Sequence, residues 1–262
     1  MAELAKFIDV TKCTGCRGCQ VACKQWNGLS AVDTVFSGSY ENPPKMGGDT
    51  WTKVRFFETE ANGKVRFLFR KAQCMHCTEA SCVAVCAAGA VTKNDRGVVT
   101  IDQDRCIGCK NCVVACPFHA VGFSEETGTS RKCRMCYDRI ENGMDPACVK
   151  ACPVGAVTIG DRDQILVQAK ERALSLQENG KKAYIYGENE LGGLHVIYVL
   201  DSKPEVYGLP VNPQIATANV FSSWINSLVG VGIVLFAPFW LIFRDRNKGI
   251  TQSSGTEVDK NA

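Results

Sequence analysis

The sixteen cysteines of this 262-residue chain fall into four runs of four, with none left over. Cys13, Cys16, Cys19 and Cys23 make the first run, and Cys106, Cys109, Cys112 and Cys116 repeat its spacing in the third. Cys74, Cys77, Cys82 and Cys86 form the second run; Cys133, Cys136, Cys148 and Cys152 form the fourth. Thiols placed three residues apart converge only where the backbone turns tightly, and Gly15, Gly18 and Gly108 fall in those gaps. What the sulfurs hold decides what the chain does.

Three chemistries compete. Zinc sites gather two cysteine pairs, or a pair plus histidines, at longer separations, so a third cysteine only three residues on is a poor zinc pattern. Disulfides form badly between cysteines three apart in a tight turn, and a chain of this length buries a core without staples. The first and third runs carry the ligand spacing of bacterial ferredoxins, in which three cysteines hold one [4Fe–4S] cubane and the fourth reaches a neighbouring cluster. Four runs then imply four clusters, and the chain reads as an electron wire.

The chain is internally duplicated. FIDVTKCTGCRGCQVAC matches TIDQDRCIGCKNCVVAC at a constant offset, and CVAVCAAGAVT from Cys82 resembles CVKACPVGAVT from Cys148. This predicts an α+β fold of two ferredoxin-like units, each with two clusters, short strands and helices. Spacing alone does not fix which runs pair. The short connection from Cys86 to Cys106 suits an inner unit over about 70–125, closed by an outer unit from 1–30 and 126–160. One cluster then takes Cys13, Cys16, Cys19 and Cys152, and the next takes Cys23, Cys133, Cys136 and Cys148. The inner unit takes Cys74, Cys77, Cys82 and Cys116 for one cluster, and Cys86, Cys106, Cys109 and Cys112 for the other.

A net charge of +3, with 22% charged residues, does not suggest nucleic acid. Arg17, Lys24, Lys110, Lys132, Arg134 and Lys150 lie among the ligands, where cations raise the potential of an anionic cluster; taken singly, each reads as solvated surface charge. The 31–69 insertion alternates apolar and polar residues on either side of Asn62-Gly63, a β-hairpin signal over Trp51–Arg70. Residues 161–215 carry a helix from Arg162 to Asn179 that ends at Gly180, then strands at Ala183–Tyr186 and His195–Leu200, expected to cover the clusters. No phosphate loop, dinucleotide fingerprint or catalytic constellation is present, so no catalytic residue is expected. His76, inside Cys74-Met-His-Cys77, and His119 read as ancillary, and His195 as a residue of the fold.

No charge occurs from Val206 to Phe243, and Trp224 to Phe243 is strongly apolar. Twenty helical residues span about 30 Å, a bilayer core, so 220–243 is expected to be one transmembrane helix in the cytoplasmic membrane. Trp224 and Trp240 sit near its ends, as interfacial aromatics do. Arg244, Arg246 and Lys248 follow directly, which puts the polar tail 244–262 in the cytoplasm and the cysteine-rich domain on the outer face. MAELAKFIDV runs into the first motif without a signal-peptide pattern. Crossing in a folded state, beside a partner carrying the export signal, reconciles the two.

The segments AKFIDVTKCTGCRGCQVACKQWN, KAQCMHC, RKCRMCYDRIENGMDPACVKACPVGAV and GGLHVIYVLDSKPEVYGLPVNP, followed by one terminal helix, resemble the β (iron–sulfur) subunit of membrane-bound respiratory formate dehydrogenase. The cysteine runs are shared with a wider group of electron-transfer subunits, so the segments near Trp26, His195 and Tyr207 carry the formate reading. Lys24 and Ala87 stand where proline often follows the last cysteine. The resemblance implies a non-catalytic electron-transfer subunit with four [4Fe–4S] clusters. Its partners would be a catalytic subunit with molybdenum or tungsten on a pterin and a membrane cytochrome with haem b that reduces quinone. Alternatives are the same wire in a hydrogenase, a polysulfide or thiosulfate reductase or a related enzyme, and a zinc-bound membrane adaptor.

Overall fold

The computed structural model describes residues 2–61, 63–218, 227–228, 231–238 and 240–241. Residues 1–216 form one compact unit and 217–262 belong to a second.

The chain enters the first unit as strand β1 (Leu4–Asp9), buried along its whole length. A short 3-10 turn, Val10–Lys12, then delivers Cys13. Helix α1 (Gly18–Trp26) carries Cys19 and Cys23 four residues apart, on one face. The alternating stretch folds as expected into a hairpin of β2 (Thr52–Ala61) and β3 (Lys64–Gln73), in register from Thr52↔Gln73 to Ala61↔Lys64. Gly63 has φ +69°, the positive φ that its two-residue turn demands, while Asn62 lies outside the described residues.

Beyond the hairpin come α2 (Ser81–Ala84), β4 (Val91–Lys93), β5 (Val99–Ile101) and α3 (Asn111–Ala115). A second hairpin, β6 (Val121–Ser124) and β7 (Thr129–Lys132), leads to α4 (Tyr137–Glu141), α5 (Ala147–Lys150) and β8 (Val157–Asp161). Helix α6 (Arg162–Glu178) ends at Asn179, with Gly180 at φ +70° just beyond it. Strands β9 (Tyr184–Tyr186) and β10 (Val196–Leu200) follow.

The duplication survives in the backbone. β1 pairs antiparallel with β8, and β5 pairs antiparallel with β4; Ile8↔Val157 and Ile101↔Val91 are equivalent partners under the repeat. α1 packs on α5 as α2 packs on α3. Gly15 and Gly108 have φ +68° and +71°, and Arg17 and Lys110 both have φ +61°. A Cβ at Gly108 would run into the Gly128 carbonyl, so that turn admits only glycine. The result is a mixed α/β, ferredoxin-like arrangement.

Strand β10 sits inside the four-stranded sheet β8-β1-β10-β9, parallel to β1 in the register Lys6↔Val196, and Cys77 and Cys152 pack against the core that its Val196, Tyr198 and Leu200 help to form. A parallel pair needs a long crossover and leaves no local turn signal, so the pairing is silent in the sequence. The sheet has two unlike faces. Ala5, Phe7, Ile197 and Val199 pack on Ile165, Ala169 and Leu176 of α6. Ile8, Val196, Tyr198 and Leu200 face Leu68, Met75 and Tyr207 on the other side.

Half of the expected membrane span 220–243 falls outside the described residues, as does the whole tail from 244. Residues 227–228, 231–238 and 240–241 are helical. Among the described residues no helix is long and apolar enough to cross a membrane.

Candidate metal centres

All sixteen cysteines are free thiols. Among the described residues no three Cys, His, Asp or Glu side chains close on a point that would hold a single metal ion. The cysteines instead ring small cavities. Cys13 and Cys16 on the turn before α1, Cys19 in its first turn and Cys152, just past α5, line one cavity with Ile8, Val54 and Lys71. Cys106 and Cys109 on the equivalent turn before α3, and Cys112 in its first turn, line another with Cys86, Val91 and Ser130. In each case three thiols come from one run and the fourth from the run that pairs with it across the fold.

The other eight thiols gather in two further groups. Lys6 Nζ lies 3.5 Å from Cys148 Sγ, and the thiolates of Cys133, Cys136 and Cys23 act on the same ammonium. Burial pushes the Cys77 thiol up, and its nearest charged neighbours are Cys74, Cys116 and Cys82. The four groups follow one another. Cys19, pushed up to about 11 by burial, feels Cys148 of the next group. Cys74, raised by burial, feels Cys133. Cys82, pushed up to about 12 by burial, feels Cys112.

Backbone amides point at the sulfurs. Ala120 N–H donates to Cys116 Sγ at 3.4 Å, Ser130 to Cys106 at 3.4 Å, Met135 to Cys133 at 3.4 Å and Ala156 to Cys152 at 3.3 Å. Such donors would raise the potential of a bound cluster. Of eight described non-glycine residues with positive φ, six (Arg17, His76, Lys110, His119, Met135 and Cys136) lie within the runs or three residues beyond one. The backbone therefore holds strain where the sulfurs converge.

The strongest sign of what fills these sites is three lysines. Lys6 is wholly buried, and Lys71 and Lys132 nearly so, yet none has a carboxylate partner among the described residues. Burial alone would lower the pKa of Lys6, yet Cys148, Cys133, Cys136 and Cys23 around it shift it upward on balance. Lys71 is raised in the same way, with Cys148 and Cys19 among its neighbours. Buried cations require buried anions. A four-thiolate iron–sulfur cubane is anionic, so the donor set and the charges around it fit that group.

Of the six basic residues singled out in the sequence, Lys132 alone is buried; its Nζ donates to the carbonyls of Val99 and Cys133. Arg17 lies over the Phe56 ring, Lys110 over Phe123, and Arg134 pairs with Asp138 at 3.1 Å, all on accessible surface. The sequence motifs do not mark Lys6 or Lys71, although a lysine set among the apolar residues Leu4, Ala5, Phe7 and Ile8 was a usable signal. The histidines serve the fold. His76 Nδ1 accepts from Val99 N–H at 3.0 Å, and His195 Nδ1 donates to the His76 carbonyl. His119 lines a separate cavity.

Residues 65–162 match the family described as a 4Fe-4S dicluster domain. The chain is 40% identical over 239 residues to the nitrate-inducible formate dehydrogenase iron-sulfur subunit of Escherichia coli K12, covering 89% of this chain and 81% of the relative. It is 42% identical over 219 residues to the formate dehydrogenase iron-sulfur subunit of Haemophilus influenzae, covering 81% and 70%. With the formate dehydrogenase subunit beta of Megalodesulfovibrio gigas it shares 33% identity over 211 residues, 77% of this chain and 95% of the relative.

Proposed function

Because the chain belongs to the family of formate dehydrogenase iron–sulfur subunits, we propose that it carries electrons from a formate-oxidising catalytic subunit to a quinone-reducing cytochrome b subunit. A [4Fe–4S] cluster, when bound, supplies one-electron redox chemistry without proton transfer. Cys13, Cys16, Cys19 and Cys152 would hold one cluster. Cys23, Cys133, Cys136 and Cys148 would hold the second, Cys74, Cys77, Cys82 and Cys116 the third, and Cys86, Cys106, Cys109 and Cys112 the fourth. Lys6, Lys71 and Lys132 compensate their charge, and the amides of Ala120, Ser130, Met135 and Ala156 orient the sulfurs.

The observation that carries this reading is the order of the groups. Each has one thiol within the field of the next, Cys19 with Cys148, Cys74 with Cys133 and Cys82 with Cys112. An unbroken row suits conduction, whereas a structural metal has no use for one. In this reading formate is oxidised on the partner, by molybdenum or tungsten on its pterin.

The test is a mild-detergent purification from native membranes through this chain, kept anaerobic, followed by formate. Reduction of the clusters together with a co-purified haem b is the expected result. Intact clusters that ignore formate in the presence of both partners would assign the wire to another respiratory substrate.

The apolar stretch 220–243 serves, in this reading, as a single membrane anchor beside the cytochrome. The basic residues Arg244, Arg246 and Lys248 after it favour a cytoplasmic C-terminus and a cysteine-rich domain on the outer face. Protease added to intact spheroplasts should then cut the cysteine-rich domain; its full protection would reverse the orientation.

A further inference from the structure

The duplication that builds the row of cysteine groups does not distribute charge equally between its halves. Under the repeat, the first group corresponds to the fourth, and the second to the third. Lys6 of β1 then has Val99 of β5 as its counterpart, just as Ile8 has Ile101. Counting back from Cys74 and Cys133, Lys71 has Ser130 as its counterpart. All four residues are buried, so each pair sets a cation against a neutral side chain at the same interior position.

Both lysines converge on the second group. Lys6 Nζ stands 3.5 Å from Cys148 Sγ with Cys133, Cys136 and Cys23 around it, and Lys71 lies in the field of Cys148 and Cys133. The first group shares Lys71, through Cys13 and Cys19. The third group has Lys132 beside Cys74 and Cys82, its Nζ tied to the carbonyls of Val99 and Cys133. At the fourth group, the charged neighbours of Cys112 are Cys106 and Cys109. The remaining influences are balanced across the repeat. Every group receives a backbone amide, from Ala156, Met135, Ala120 or Ser130. Arg17 and Lys110 are counterparts on accessible surface, and Cys16 and Cys109 are the exposed thiols of the first and fourth groups. The buried lysines are what separates the halves.

We infer that the cluster of Cys23, Cys133, Cys136 and Cys148 is the easiest of the row to reduce, with Lys6 setting its potential, and that the cluster of Cys86, Cys106, Cys109 and Cys112 is the hardest. This rests on the electron-transfer reading above, in which these cysteines hold four [4Fe–4S] clusters. Reduction adds one negative charge to a cubane that is already anionic, so a fixed ammonium stabilises the reduced form more than the oxidised one. Buried charges are screened far less than those at the surface, which gives Lys6 a reach that Arg17 and Lys110 lack. An electron entering the row settles on the second cluster, and the step from there to the third runs uphill. The row therefore holds one electron in reserve before it passes the next.

Electron paramagnetic resonance at a series of poised potentials, on the detergent-solubilised and iron-loaded full chain, reads each midpoint without any turnover. Lys6→Met should make reduction of the most easily reduced cluster about tenfold or more less favourable, a fall of about 59 mV for one electron. The lowest midpoint should stay where it is. Lys6→Arg keeps the charge and should recover most of the fall. Cys109→Ser should remove the signal with the lowest midpoint. Should Lys6→Met lose iron, Lys71→Met carries the same comparison, since it withdraws the other ammonium from the second group. An unmoved highest midpoint, a shift of another signal in its place, or loss of any signal but the lowest in Cys109→Ser overturns the inference and leaves the clusters standing. Fewer than four clusters in the wild-type chain, by iron and sulfide analysis, overturns the four-cluster reading and the inference with it.

Discussion

Cys109→Ser is expected to cost the chain about a quarter of its iron, one cubane of four, and nearly all electron flow to quinone. Cys109 lines its cavity with Cys86, Cys106 and Cys112 and is the exposed member of that group. A serine oxygen is a harder, more basic donor than a thiolate and holds iron–sulfur clusters poorly. The surrounding fold has little reason to change, because the side chain keeps its size and already meets solvent. The loss should therefore be confined to one group, and with it the continuity of the row. A soluble dye that takes electrons upstream of the break should still be reduced by formate in the assembled complex. Iron analysis and the two acceptor assays read the result. Full quinone reduction with a quarter of the iron missing would contradict a single row in series.

Stripping the iron altogether should do more: residues 1–216 should lose cooperative folding. Nine residues form the core shared by the inner strands, and five of them are Cys74, Cys82, Cys112, Cys116 and Cys133. The strands beside them, β4 and β5, are three residues each and offer little apolar area of their own. Structural zinc in small metal-folded domains contributes roughly 10–16 kcal/mol. A typical domain has only about 5–15 kcal/mol in hand, so removing the iron–sulfur clusters, four in the proposed reading, exceeds any reserve. Anaerobic chelation followed by calorimetry should show the unfolding endotherm vanish. An iron-free chain that still melts cooperatively near the original temperature would mean that the thiols are passengers in a core held by other means.

Much of this architecture was legible because it is local. Cysteine spacing marks the tight turns, Asn62-Gly63 marks the hairpin, and the periodic run into Gly180 marks α6 to within a residue. The duplication went further, since equivalent sequences adopt equivalent φ angles at Arg17 and Lys110 and equivalent pairing at Ile8 and Ile101. Features made by chain crossing were silent. The parallel union of β1 with β10 has no turn to announce it. Lys6 and Lys71 look like alternating strand residues until the fold brings thiols from other runs around them.

The buried lysines also impose an order of events on the making of the protein. Lys6 lies in the middle of β1, so the central sheet cannot close without taking that ammonium out of water. Doing so with nothing negative beside it costs several kcal/mol or more for a single ion, and Lys71 and Lys132 repeat the demand. An empty chain therefore resists its own closure, and loading with iron and sulfide removes the obstacle. Loading the chain and closing the sheet are in this sense one step, because the charge that the buried ammonium groups require arrives only with the clusters.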